Sequence, residues 1–174
     1  MLSKLLRADL LRPDLVTPGT LVDLSLDHLA GCGIQALVLD VDRTILPRRH
    51  PQLPPLAEVW MREATRRFPV HLLSNNPSRR RIGAVAEPFG LPFTTSASKP
   101  RSGALRQVLA ELGLPHGRVA MVGDRLFTDV LAGNRLGLFT VLVKPVDPQG
   151  QPCRHDHWQR LEVQLARLAG ASMA

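Results

Sequence analysis

The stretch Ala36-Leu37-Val38-Leu39-Asp40-Val41-Asp42 constrains the fold more than any other part of the chain. It opens with an unbroken apolar run and ends in two carboxylates. A strand wetted on one side would alternate apolar and polar residues. A continuous run suits a strand covered on both faces, as in a parallel sheet. Parallel strands need long crossovers, usually helical, so this run calls for strand–helix alternation around it.

The rest of the chain supplies that alternation. Residues 70–74, 93–95, 119–122 and 139–143 read as further strands. Residues 56–68, a segment opened by Asn76-Pro77 and closing near Gly90, 101–112 before Gly113, and 126–136 before Gly137 read as helices. Ahead of the first strand, Thr17-Pro18 has the form of a cap followed by proline at the first helical position. It predicts a helix over 19–30, stopped by Gly31 and Gly33. A last amphipathic helix is expected over 156–168. Residues 46–55, with Pro47, Pro51, Pro54 and Pro55, read as a basic flap carrying Arg48, Arg49 and His50. The expected fold is α/β, a Rossmann-like doubly wound parallel sheet. Its 174 residues suit one domain, with an N-terminal helical segment over 1–32 and the C-terminal helix over 156–168. Ligands in such sheets bind beyond the carboxyl ends of the strands.

Four polar signals fall at strand ends or in the loop after the short third strand. The first is Asp40-Val41-Asp42-Arg43-Thr44. Two carboxylates at the end of a buried strand are costly without a cation, and Mg2+ prefers hard oxygen ligands. Asp40 can bind such a metal through one oxygen and attack phosphorus with the other. Asp42 can lend its backbone carbonyl to the metal, leaving its side chain to act as general acid and then base. The second is Ser74-Asn75-Asn76, where a hydroxyl and backbone N–H groups at a helix start suit a phosphoryl oxygen. Thr44 and Asn75 are candidate substrate contacts beside Ser74. The third is Lys99, placed to neutralise charge during phosphoryl transfer. The fourth is Gly123-Asp124 with Asp129: Asp124 would complete the metal ligands, and Asp129, one helical turn later, would hold Lys99.

The four together are far more specific than any one of them, and they resemble the haloacid dehalogenase superfamily of phosphohydrolases over residues 33–143. The resemblance implies Asp40 as nucleophile, Asp42 as acid/base, Ser74 and Lys99 as phosphate binders, Asp124 as metal ligand, and Mg2+ as cofactor. A narrower resemblance runs through GIQALVLDVDRTI, LLSNNPSRR, SKPRSGALRQ, GDRLFTDVLAGNRLG and TVLVKPV, which are similar to the YqeG family. That family is in turn similar to phosphatidylglycerophosphate phosphatases, which implies phosphatidylglycerophosphate as substrate. Arg43 stands where such motifs often carry Asn, a change that bears on headgroup fit.

Spacing and charge bear on the substrate. Thr44 to Ser74 leaves room only for the flap and one helix, and Ser74 to Lys99 for one helix and a short strand, so no cap domain fits. An open site suits a bulky substrate or one presented at a surface. The net charge of +7 favours anionic partners, with Arg48 and Arg49 as candidate headgroup contacts. Of the three arginines 79–81, one helical face admits one or two, and a solvated face is their default reading. Aromatic residues make up 4% with no tyrosine, which argues against nucleic acid as partner. Leu2, Leu5, Leu6 and Leu10 recur at helical spacing between Lys4 and Arg7, as a membrane-surface helix or, favoured on periodicity, a packed one. No run spans a bilayer. The unpaired Cys32 and Cys153 fit a reducing, cytoplasmic setting. The lipid substrate that the resemblance implies adds a peripheral place on the inner face of the membrane. Cys153, His155 and His157 would make half a zinc site, with no complementary cluster elsewhere. The competing readings are a soluble phosphatase for a small metabolite or nucleic-acid phosphate end, and a non-catalytic binding module.

Overall fold

The computed structural model describes residues 8–154 and 156–171. The continuous apolar run becomes strand β2 (Ala36–Leu39), all four residues buried. It lies at the centre of a six-stranded sheet with β1 (Leu15–Val16), β3 (Val70–Leu73), β4 (Phe93–Thr94), β5 (Val119–Gly123) and β6 (Phe139–Leu142). The order is β1-β6-β5-β2-β3-β4, and every pairing is parallel. Alternate residues of β2 serve different layers. Leu37 and Leu39 pack with Trp60 and Met61 of α2 (Pro55–Arg67) and Ile82 and Val85 of α3 (Arg79–Ala86). Ala36 and Val38 pack with Leu105, Val108 and Leu109 of α4 (Gly103–Leu112). This two-sided coverage is why the run carries no polar residue before Asp40. The chain reverses its direction of growth at β2, with β3 on one side and β5 on the other. The crevice beyond the carboxyl ends of these three strands is therefore the place for a ligand.

The structure departs from the sequence reading at four places. Strand β1 was not anticipated. It is two residues between Pro13 and Pro18, and such flanks are tolerated only because it is an edge strand. The helix expected over 19–30 is instead a 3-10 turn (Leu21–Asp23) and a short α1 (Leu26–Gly31) capped by Ser25. Thr17 does not cap it: its hydroxyl donates to Gly19 O at 2.7 Å, and Gly19 O also accepts from Lys144 N, tying this turn to the end of β6. Asn76-Pro77 does not start a helix either. Asn76 Oδ1 accepts from Ser78 N, and Ser78 then caps α3 two residues later. Finally, the helix expected over 126–136 opens as a π-helical turn (Leu126–Val130) before α5 (Leu131–Arg135).

Between Thr44 and Ser74 lie only the flap and α2, and between Ser74 and Lys99 only α3, a 3-10 turn and β4, so no cap domain is inserted. Of the leucine-rich N-terminus, residues 1–7 lie outside the described residues. Leu10 and the fully buried Leu11 pack against Leu126, Val130 and Ala166. The last helix, α6 (His157–Leu168), is capped by Asp156 and is buried along Glu162 and Ala166. Among the described residues, no helix is long and apolar enough to cross a membrane.

Candidate active site

Three strand ends and one loop converge on a cleft of about 170 Å³ lined by Asp40, Asp42, Ser74, Lys99, Asp124 and Asp129 among others. Asp40 is the first residue past β2, and its backbone N–H donates to Val122 O, which locks it in register with β5. Lys99 holds the centre. Its ammonium donates to Asp40 Oδ1 at 2.7 Å, Asp129 Oδ1 at 2.6 Å and Leu73 O at 2.9 Å, which occupies all three of its hydrogens. The other oxygen of Asp40 accepts from Thr44 Oγ1 at 3.1 Å, so both carboxylate oxygens are fixed. Asn75 clamps the Lys99 loop through a reciprocal pair, Lys99 N to Asn75 Oδ1 and Asn75 Nδ2 to Lys99 O. The side chain of Asn75 is thus engaged with the loop. Ser74 is 1% exposed and accepts from Asn76 N, leaving its own O–H to donate.

The π-helical turn explains how Asp129 reaches Lys99. The wide turn, with Val130 N donating back to Arg125 O, folds Asp129 over the end of β5. There Asp129 Oδ2 accepts from Arg125 N at 3.1 Å. Position 123 must be glycine for this, because a Cβ there would lie 2.2 Å from Asp129 Oδ2.

Asp124 behaves differently. It is 1% exposed, and its Oδ2 is the one buried side-chain polar atom among the described residues without a hydrogen-bond partner. Arg43 Nε lies 3.5 Å away, close enough for attraction but outside hydrogen-bond geometry, and the Arg43 guanidinium is turned to Asp156 Oδ1 at 2.5 Å. Carboxylate oxygens of Asp40, Asp124 and Asp129 lie within 4.8 Å of one another. Burial raises the Asp124 pKa well above the ordinary carboxylate value, and Asp40 and Asp129 push it further, against Arg43 and Arg125. Burial likewise raises Asp40, to about 6, although Lys99 opposes it. For Lys99, burial lowers the pKa, and Asp129 and Asp40 together overcome it, so the ammonium form is strengthened. An excess of carboxylates over cations around an orphaned buried oxygen is what a divalent cation would relieve. Both oxygens of Asp129 and of Asp40 already accept hydrogen bonds, so Asp124 Oδ2 is the oxygen of the three carboxylates left free for a cation, with Asp40 beside it.

The side chain of Asp42 lines the same cleft but is not part of this cluster. Arg81 Nε donates to its Oδ1 at 2.8 Å and Asn76 Nδ2 to its Oδ2 at 2.9 Å. The same guanidinium donates to Pro47 O and His50 O, so Arg81 ties the flap to α3 across Asp42. Of the three consecutive arginines, one therefore reaches the site. Arg48 and Arg49 are exposed on the flap and do not line the cleft. His155 lies outside the described residues; Cys153 is half-buried and His157 exposed.

Several supporting residues carried no legible signal at motif level. Gln159 Nε2 donates to Asp124 O and Val143 O, Glu162 accepts from Leu126 N and pairs with Arg125, and Asp156 holds Arg43. The spacing of residues 156, 159 and 162 along one helical face was the available clue.

Known proteins similar to this chain bear on its family and fold. A HAD-hydrolase-like family model matches residues 96–147. A protein of Bacillus subtilis named "Probable phosphatase YqeG" is 34% identical over 114 residues, covering 65% of this chain and 66% of that protein. "Phosphatidylglycerophosphate phosphatase 1, chloroplastic" of Chlamydomonas reinhardtii is 31% identical over 139 residues, covering 71% of this chain and 49% of that protein. The chain thus spans from about half to just under two thirds of these relatives. A HAD superfamily subfamily III A hydrolase from Legionella pneumophila superposes with a TM-score of 0.51 at 16% identity, over 83% of this chain and 92% of that one, a likeness of fold.

Proposed function

Because the chain belongs to the haloacid dehalogenase superfamily of hydrolases and is similar within it to YqeG, we propose that it hydrolyses phosphomonoesters with Asp40 as nucleophile. The observation that carries this reading is the arrangement at the sheet's switch point: Lys99 bridging Asp40 and Asp129, beside the unpartnered Asp124 oxygen. Asp40, Asp124 and the Asp42 backbone carbonyl would hold Mg2+. When bound, the ion neutralises negative charge on the phosphoryl oxygens as the phosphorus–oxygen bond breaks.

Asp40 attacks phosphorus and forms an acyl phosphate while the ester oxygen leaves. Lys99 and Thr44 keep the Asp40 carboxylate from rotating during attack. The Ser74 hydroxyl donates to a phosphoryl oxygen. Asp42 gives a proton to the leaving oxygen and takes one from the water that then opens the acyl phosphate. For this its carboxyl, which already lines the cleft, exchanges a hydrogen bond to Arg81 or Asn76 for one to the leaving oxygen. Lys99 stays charged throughout, balancing Asp129 and the transferring group.

For the substrate, we infer phosphatidylglycerophosphate. Three observations support it: the name of the algal relative, the open cleft without a cap, and the net charge of +7. The test is phosphate release by purified protein in Mg2+ from phosphatidylglycerophosphate in mixed micelles, sugar phosphates, nucleotides and a 3′-phosphorylated oligonucleotide. Preference for the lipid is expected. A preference for a soluble phosphate would remove the lipid reading and leave the phosphatase reading standing.

A further inference from the structure

Helix α6 is built inside out. Its buried residues are Glu162 and Ala166, with the half-buried Gln159 beside them, because its polar side is bound to the loop of Asp124 and Arg125. Val163 and Ala166 pack on the core, but its large apolar residues face solvent: Trp158 is 59% exposed, Leu161 46%, Leu165 47% and Leu168 84%. They recur at steps of three, four and three residues, which draws one stripe along the helix. Four large apolar side chains in one exposed row cost solubility and need a reason. Among the Arg, Lys, Asp and Glu residues of the helix itself, the exposed ones are all basic. Arg160 and Arg167 run along one edge, Arg154 precedes the helix, and the only carboxylate within α6, Glu162, is buried against Arg125.

We propose that α6 is a membrane-docking helix that lays this stripe into the surface of a bilayer rich in anionic phospholipid. An apolar face edged by arginines is the pattern of helices that lie in the headgroup region. The long arginine stems reach lipid phosphates while the leucines enter the acyl boundary. Charge decides against a second copy of the chain, because pairing two α6 stripes would bring Arg160 and Arg167 of both copies together. Docking here acts directly on the cleft. Asp156 at the start of α6 pairs with Arg43, Gln159 holds Asp124 O, and Glu162 holds Arg125, so the helix that meets the lipid also holds the Asp124 loop. This inference deepens the lipid reading of the substrate and is independent of the chemistry at Asp40.

The assay therefore uses substrate-free vesicles and the full chain. The chain has two tryptophans; Trp60 is 7% exposed and donates to Leu24 O, so changes in emission report Trp158. With vesicles of equal phosphatidylglycerol and phosphatidylcholine, Trp158 emission should shift to the blue and acrylamide quenching should fall. Phosphatidylcholine alone should give no shift. Leu161→Gln with Leu165→Gln should weaken binding at least tenfold. Arg160→Gln and Arg167→Gln should each weaken it about fivefold and flatten its salt dependence. Hydrolysis of a soluble chromogenic phosphate should be unchanged in all of them. Three results would overturn the proposal: Trp158 equally quenched with and without anionic vesicles, Trp158 already shielded in dilute protein, or shielding that tracks self-association in sedimentation velocity. Loss of chromogenic turnover in wild type with binding intact would strike the phosphatase reading alone.

Discussion

Replacing Asp124 by Asn should make the metal-free protein more stable and the enzyme inactive. The wild-type carboxylate is buried, one of its oxygens has no hydrogen-bond partner, and Asp40 and Asp129 stand within 4.8 Å. Leaving a buried acceptor unsatisfied costs about 1–3 kcal/mol, and more when it is charged. The attraction of Arg43 at 3.5 Å opposes this, yet the Asp124 pKa is still raised, so burial and repulsion exceed attraction. Asn keeps the shape and removes the charge, and Arg43 keeps Asp156. A net gain of about 1 kcal/mol corresponds to about 2–4 °C for a chain of this size. In excess chelator, Asp124→Asn should therefore melt about 2–4 °C above wild type. Adding Mg2+ should reverse the order, because a ligand at a hundred times its dissociation constant stabilises by about 2.7 kcal/mol and the variant has lost a donor. Differential scanning fluorimetry in chelator and in Mg2+ reads both effects, and phosphate release reads the third. A variant that melts below wild type in chelator, or an equal Mg2+ shift in both proteins, would refute the reasoning.

The pH dependence follows from Asp40. Its folded pKa is raised from 3.8 to about 6, so its contribution to stability is fully present below the unfolded value and is lost as pH rises through about 6. Mg2+ competes with that proton, so the Mg2+ shift in melting temperature should be larger at pH 7.5 than at pH 5; equal shifts would contradict the assignment. Asp42→Asn should lower kcat roughly 10²–10⁴-fold with the Mg2+ shift intact, since only the side chain is changed. Arg81→Ala should free the flap and release Asp42, seen as faster proteolysis within residues 47–54 and a changed pH profile of kcat; Arg81→Lys, which cannot span Asp42 and two carbonyls at once, should rescue neither in full.

What could be read from the sequence was what local chemistry dictates. The unbroken run before Asp40 gave a two-sided parallel strand, and the polar residues after four apolar segments marked the cleft. The pairing of Lys99 with Asp129 followed from charge and spacing. The edge strand at residues 15–16 escaped because two residues carry no periodicity, and its pairing depends on β6, about 125 residues away in sequence. Thr17-Pro18 and Asn76-Pro77 satisfy the local rule for a helix start but have stronger distant partners, Lys144 through Gly19 O in one case and Asp42 in the other. Helix α6 reads as amphipathic from the sequence, and the usual inference places its leucines inside. Only the tertiary bonds of Asp156, Gln159 and Glu162 reveal that the polar side is the buried one.

The most direct test of the central claim is to trap the acyl phosphate. Protein in Mg2+ is mixed with substrate, quenched in acid during turnover and reduced with borohydride, which converts an aspartyl phosphate to homoserine. Peptide mass spectrometry should place homoserine at position 40 in wild type and nowhere in Asp40→Asn. Homoserine at another position, or undiminished phosphate release by Asp40→Asn, would contradict Asp40 as the nucleophile.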